Sequence, residues 1–128
     1  MYAAGGTHPL REPCRASLQR AVEQRLTLVT DAEVLQEILY RYFSIGRGRI
    51  ARAVYRSTTR LCDEILSIEE AHTSRALELL EQHAGISPRD AIHVATMEGV
   101  GMRRILTTDR DFDAIPEVVR VDPGELAP

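Results

Sequence analysis

Two stretches decide the fold, SPRDAIHVAT at residues 87–96 and RILTTDRDFD at residues 104–113. The first predicts a helix with Ser87 as its N-cap, Pro88 at its first position and Asp90 in its first turn. The second predicts a short buried strand followed by a turn that is rich in acids. Because a parallel sheet brings strand ends and helix starts to the same edge, we expect Asp90 and Asp109 to face one cleft. Clustered carboxylates are the ligands that Mg²⁺ and Mn²⁺ favour.

Helices and strands alternate along the rest of the chain. Apolar spacing and capping residues predict helices over Pro9–Arg25, from Thr30 to before Gly46, and over Arg49–Leu61, Glu69–His83 and Ser87–Gly99. Short apolar runs predict strands at Leu26–Val29, Glu64–Ile68, Arg104–Thr107 and Val118–Val121. This order predicts an α/β fold of three layers, α/β/α, with a mainly parallel central sheet. Ala53 is among the residues expected to face inward on the helix over Arg49–Leu61, and Leu77 is one of the apolar positions of the helix over Glu69–His83.

Length and composition favour a single domain over residues 1–128, with a core of Leu, Ile, Val and Ala. No run approaches the roughly 20 apolar residues of a membrane span, and the first residues lack the features of a signal peptide. Cys14 and Cys62 have no metal-type spacing, so free thiols and a cytoplasmic location are expected. All 16 basic residues are Arg, which excludes lysine-based catalysis. Receiver-like phosphoacceptors also cluster acids at a sheet edge, but they use a lysine beside them.

The acids have structural interpretations as well as functional ones. Asp90 could complete the Ser87 cap and favour the positive end of the helix dipole, and Asp109 and Asp111 could be ordinary turn residues. Glu37 is harder to explain, because it lies at the edge of an apolar stripe, where a carboxylate must be paired or bound to metal. Its structural alternative is an i,i+4 pair with Arg41. The functional interpretation comes from the combination of these residues.

Arginine dominates the middle of the chain. Residues 1–62 hold 10 Arg and 5 acids, whereas residues 63–128 hold 6 Arg and 14 acids, so the halves carry +5 and −8. No acid occurs between Ile38 and Cys62. The spacing places four arginines on one face of one helix, and two more precede them: Arg49, Arg52, Arg56 and Arg60, after Arg41 and Arg47. Such a row predicts RNA backbone binding, with a solvated face or a protein-binding face as alternatives.

These residues together resemble the PIN domain, in its branch of VapC-type ribonuclease toxins. The matching segments are VTDAEVLQEIL at residues 29–39, SPRDAIHVA at residues 87–95 and ILTTDRDF at residues 105–112. The resemblance implies that Glu37, Asp90 and Asp109 are the catalytic acids and bind Mg²⁺ or Mn²⁺, with Asp111 as a further metal ligand. His93, one turn after Asp90, is interpreted as a neighbour of the ligands or an edge residue of the core.

The chain departs from the family pattern at its beginning. The family opens with a central strand that ends in an aspartate, whereas residues 1–6, MYAAGG, resemble the segment just after that aspartate. We therefore expect the site to lack one acid and the sheet to lack its usual first central strand. Either Met1 is an internal methionine of a longer protein, or the chain is shortened and a rearrangement, a partner or a dimer closes the gap.

The resemblance implies metal-assisted hydrolysis of RNA phosphodiesters by the toxin of a type II toxin–antitoxin pair. It implies three partners: an RNA substrate, a cognate antitoxin and a second copy of the chain in a homodimer. The alternative is a catalytically impaired PIN-like module that binds an antitoxin or another partner without cleaving RNA. The missing N-terminal acid is what motivates that alternative.

Overall fold

The computed structural model describes residues 23–24 and 26–126. The helix predicted over Pro9–Arg25 lies almost entirely outside these residues. In chain order the elements are β1 (Val29–Asp31), α1 (Ala32–Phe43), α2 (Gly48–Leu61), β2 (Glu64–Leu66), α3 (Glu70–Gln82), α4 (Pro88–Gly99), β3 (Arg104–Leu106), a 3-10 helix (Arg110–Ala114), β4 (Val119–Val121) and α5 (Pro123–Leu126). The predicted α/β class is confirmed, and the 3-10 helix and α5 are additions to the prediction. Among the described residues, no helix is long and apolar enough to cross a membrane.

The described chain forms two compact units, which we describe separately. In the first, which ends at Leu66 and resumes at Pro123, β1 pairs in parallel with β2. The strand predicted at Leu26–Val29 starts later than expected, because pairing with β2 begins only at Val29. Thr30 consequently lies in the strand, and the buried Asp31 caps α1 by accepting a hydrogen bond from the Val34 N–H at 3.0 Å.

Helix α2 packs on α1 with one face of small and β-branched side chains. Ala51, Val54 and Thr58 are buried, whereas Ala53 is exposed, so the prediction that Ala53 faces inward is wrong. Gly48 opens this helix directly beneath the Phe43 ring, and an added Cβ would stand 2.9 Å from Phe43 Cε1. Only glycine fits this close approach without a shift of the ring.

The second unit, Ser67–Asp122, holds the larger described core. Helices α3 and α4 pack together around side chains that include Leu79, Val94 and Ile115, all of which are fully buried. Leu77, an apolar position of this helix, is 58% exposed, whereas Leu79 is fully buried. Arg75 on α3 binds Glu98 on α4 with two hydrogen bonds, from Nε at 2.8 Å and from Nη2 at 3.2 Å.

Strand pairing in the described residues is parallel throughout but occurs in two separate pairs. β1 pairs with β2 in the first unit, and β3 pairs with β4 in the second. Within residues 26–126 no strand bonds to both pairs. The predicted parallel pairing is therefore confirmed. One central sheet was expected, whereas the four described strands form two separate pairs.

Candidate metal centre

The beginning of α4 fixes the position of Asp90. Ser87 is extended and caps the helix, its Oγ accepting a hydrogen bond from the Asp90 N–H at 3.1 Å, and Pro88 occupies the first turn. This arrangement follows from the sequence, because proline needs no N–H acceptor at that position and serine supplies one for the third residue. The Asp90 side chain is therefore anchored at the first turn of a helix whose next residue, Ala91, is fully buried.

A chain of hydrogen bonds after β3 fixes the other two acids. The Thr107 hydroxyl accepts from the Asp109 N–H at 3.1 Å, and Asp109 Oδ1 accepts from the Asp111 N–H at 2.9 Å. Asp109 is thereby the N-cap of the 3-10 helix, and buried Phe112 anchors that helix in the core. The turn therefore holds both carboxylates close to the end of β3.

Asp90, Asp109 and Asp111 converge. Each offers one carboxylate oxygen, and the three oxygens all lie within 4.8 Å of one another. Asp90 and Asp109 are half-buried, and Asp111 is exposed. Ionised carboxylates at this separation repel one another, because they are like charges. The sequence-based expectation that Asp90 and Asp109 lie together is confirmed by this geometry.

Burial and neighbouring negative charges both act on the Asp90 carboxyl. Burial raises the pKa of the Asp90 carboxyl above its ordinary value, and the negative charges of Asp109 and Asp111 raise it further. The Ser87 hydroxyl, by hydrogen bonding to the carboxylate, and the nearby His93 oppose this increase only in part. His93 thus acts electrostatically on Asp90, in agreement with its interpretation as a neighbour of the ligands.

The donor set fits a small, hard divalent cation. All three groups are carboxylates, the oxygen ligands that Mg²⁺ and Mn²⁺ favour over softer metals. The three residues present therefore suit such an ion in their chemistry, and each has a carboxylate oxygen within 4.8 Å of one from each of the other two.

Comparison with known proteins places this arrangement in a family. The sequence pattern of the PIN domain matches residues 1–118. The chain belongs to the PIN-domain family. PIN domains are three-layer α/β/α folds, which agrees with the predicted fold class. The resemblance inferred from the three sequence segments is thereby confirmed.

Relatives of this PIN-domain chain carry names that state an activity. VapC ribonuclease Mb1869c of Mycobacterium bovis and Ribonuclease VapC13 of Mycobacterium tuberculosis are each 36% identical to it over 121 residues, which cover 94% of this chain and 92% of theirs. Ribonuclease VapC23 of Mycobacterium tuberculosis is 38% identical over 109 residues, covering 85% of this chain and 86% of its own. Similarity therefore extends along nearly the whole length of these proteins.

Glu37, the remaining acid expected from the PIN-domain resemblance, lies on α1 and is half-buried. It belongs to the first unit, whereas the three converging acids belong to the second. Its role as a metal ligand therefore stays a prediction.

The arginines predicted to bind RNA are all on the surface of the first unit. Arg41 lies in the last turn of α1, Arg47 immediately precedes α2, and the others lie along α2, namely Arg49, Arg52 and Arg56. All five side chains are exposed, as is Arg60 at the end of the same helix. The predicted placement of the row on one helix face is confirmed, and its function stays a prediction.

Two threonines of the PIN-domain site were not singled out from the sequence. Thr107 holds the Asp109 backbone, and its spacing of two residues from Asp109 is a signal that could have revealed this contact. The Thr108 hydroxyl oxygen is buried and has no hydrogen-bond partner among the described residues. No local sequence signal distinguishes Thr108 from any other residue at the end of a strand.

Proposed function

We propose that this chain is a metal-dependent endoribonuclease, the toxin of a type II toxin–antitoxin pair. The observation that carries the proposal is the convergence of the Asp90, Asp109 and Asp111 carboxylates within 4.8 Å in a PIN-domain chain. The names of its relatives, VapC ribonucleases, supply the substrate class. A cluster of like charges destabilises a fold, so its presence at the end of a strand favours a role in binding a cation.

Each acid has a defined task in this proposal. Asp90 is held by the α4 cap, and Asp109 and Asp111 are held by the turn after β3, so the three present oxygens without large rearrangement. Glu37 stays a predicted further ligand, as the family resemblance implies. Mg²⁺ or Mn²⁺ held by these acids would supply a Lewis acid for a phosphate oxygen and for activation of a water. The acids hold the ion, and no side-chain nucleophile is required.

The proposal extends to the partners of the chain. RNA is the substrate, a cognate antitoxin is the inhibitor, a second copy forms a homodimer, and the cytoplasm is the location. The VapC names of the relatives support the substrate and the antitoxin.

Cleavage of a mixed RNA substrate by the purified chain tests the proposal. We expect products in Mn²⁺, none in EDTA, and strongly reduced cleavage with Asp90→Asn. Asp113→Asn is the matched control, because Asp113 lies two residues after Asp111 but is exposed and pairs with Arg120 at 2.8 Å. It should cleave at the parental rate. A folded chain that leaves RNA intact in Mn²⁺ would favour the alternative, a PIN-like binding module without activity.

A further inference from the structure

Helix α2 concentrates positive charge on one side. Arg49, Arg52, Arg56 and Arg60 fall within an arc of about 80° when the helix is viewed along its axis, at 3.6 residues per turn. All four are exposed, and we call this set the arginine face. The side chains of α2 that are buried lie elsewhere on the helix, at Ala51, Val54 and Thr58.

The charges of the arginine face are not neutralised within the described chain. None of its four residues forms an ion pair with another residue between 26 and 126. The helix itself contains no acid, and its first turn has none to complement the helix dipole. Like charges three and four residues apart destabilise a helix, so the row makes α2 less stable by itself. An anionic ligand would remove this repulsion.

The arginine face itself carries no large apolar side chain, although exposed Leu39, Tyr40, Phe43 and Ile45 lie on α1 and in the turn before α2. Protein interfaces bury an apolar core inside a polar rim. The exposed large apolar side chains of the described chain include none from α2. Ala53 and Ser57 are the other exposed side chains of the helix, and both are small. The helix therefore presents guanidinium groups among small side chains, a combination that suits a phosphate backbone.

We propose that the arginine face binds the phosphate backbone of RNA and does so without reading its sequence. This inference rests on the proposed ribonuclease function and names the surface, separate from the acids, that holds the substrate. Arg49 and Arg60 are about 16 Å apart along the helix axis, at 1.5 Å per residue, which is enough to follow several phosphates. Guanidinium groups suit this task because their planar forks pair with phosphate oxygens in a bidentate manner.

Binding of a labelled single-stranded RNA in EDTA tests the inference apart from cleavage. Arg52→Gln/Arg56→Gln should weaken binding about tenfold near physiological salt and reduce the slope of log affinity against log salt by about 1.4, since each phosphate contact contributes about 0.7. Arg103→Gln/Arg104→Gln is the matched control, because it removes the same charge from two exposed residues of the other unit. This control should leave the salt slope unchanged.

A second variant separates lost binding from lost folding. Ala53→Glu places an acid beside Arg49 and Arg56, at i−4 and i+3, so it should stabilise the helix while it weakens RNA binding. Ala53→Gln has the same size without the charge and should bind RNA like the parent. A higher melting temperature together with weaker RNA binding for Ala53→Glu alone is the result expected from phosphate contacts.

Three results would overturn the inference. One is parental affinity and salt slope in both Arg52→Gln/Arg56→Gln and Ala53→Glu. Another is equal weakening by Ala53→Gln, which would indicate a steric effect. The third is loss of binding to a polyglutamate peptide with unchanged RNA affinity, which would assign the face to an acidic protein partner. A chain that cleaves RNA in Mn²⁺ and gives any of these results retains the proposed function but not this surface.

Discussion

The acid cluster and the arginine face place charge in opposite ways. The three aspartates come from two separate segments, α4 and the turn after β3, and hydrogen bonds hold each backbone in place. The arginines come from one helix, are exposed, and make no ion pair with a described residue. The three carboxylates converge on one point, as the binding of a single cation requires. The arginines follow one another along the helix, as the binding of an extended phosphate backbone requires. The difference predicts that substitutions in the two regions have effects of different kinds.

The largest effect is expected when two acids are removed together. Asp109→Asn/Asp111→Asn should lower RNA cleavage at saturating RNA by about 10³-fold, equivalent to about 4 kcal/mol of activation free energy, because the cation loses two of its ligands. Single-turnover cleavage in Mn²⁺ measures this effect. A rate within tenfold of the parent would mean that the cluster does not hold the catalytic ion.

Glu37→Gln tests whether the cluster of the second unit needs an acid from the first. Removal of one ligand should reduce cleavage by about 10–100-fold, and excess Mn²⁺ should restore part of the activity by mass action. Glu33→Gln, in the first turn of the same helix, is the control. If Glu37→Gln cleaved like Glu33→Gln, the predicted ligand role of Glu37 would be wrong.

The arginine face should affect substrate capture and leave the chemical step unchanged. Arg52→Gln/Arg56→Gln should raise KM about tenfold in Mn²⁺ and leave kcat within about twofold of the parent, because phosphate contacts that do not involve the reacting bond contribute equally to substrate and transition state. Steady-state kinetics on a short RNA measures both constants. A selective fall in kcat would place these arginines in the reaction instead.

Removal of one acid should stabilise the metal-free chain. Because the pKa of Asp90 is raised, ionised Asp90 is less favourable in the folded state than in the unfolded one. Asp90→Asn should therefore raise the melting temperature in EDTA at pH 7 by about 2–4 °C. The gain should disappear as the pH falls below the ordinary pKa of 3.8, where the parent residue is protonated in both states. Mn²⁺ should reverse the order of the two melting temperatures, and an Asn variant less stable than the parent in EDTA would contradict the repulsion.

The smallest effect is expected at the cap. Ser87→Ala should cost about 1 kcal/mol of unfolding free energy through loss of the α4 cap. It should also raise the pKa of Asp90 further, because the Ser87 hydroxyl is one of the groups that lower it. Protons should then compete with Mn²⁺ for the Asp90 carboxylate at higher pH than in the parent. Titration of the variant and the parent with Mn²⁺ between pH 5 and 7.5 measures this difference in affinity. Thr73→Ala removes a hydroxyl that bonds Glu70 O on α3 at 2.7 Å and should leave this pH dependence unchanged.

Features that depend on residues close in sequence, such as helix caps, could be predicted from the sequence. Ser87, Pro88 and Asp90 lie within four residues, so their cap could be inferred directly from the sequence. Thr30 and Asp31 are both suitable N-caps, and the choice of Asp31 depends on the pairing of Thr30 with Ile65, which is remote in sequence. The meeting of Asp90 with Asp109 was inferred only because parallel sheets have a general edge rule.

Burial was predicted less well than element boundaries. Ala53 and Leu77 fit an apolar stripe as well as their neighbours do, yet both are exposed. Which side of each stripe turns inward depends on the partner helix: α1 packs on α2, and α4 packs on α3. The 3-10 helix at Arg110–Ala114 is too short for a periodic signal, although Asp109 caps it.

The spacing of the converging acids along the chain has a topological consequence. Asp90 and Asp109 are separated by about 20 residues, so a cation that both of them ligate closes a loop of that length and acts as a reversible cross-link. The loop contains most of α4, the glycine turn at Gly101 with its positive φ of 72°, and all of β3. Closure of this loop by the cation lowers the entropy of partly unfolded forms in which residues 91–108 leave the core, so these forms become less populated. Amide exchange and proteolysis within residues 91–108 should therefore slow when Mn²⁺ is added, more than anywhere in α2.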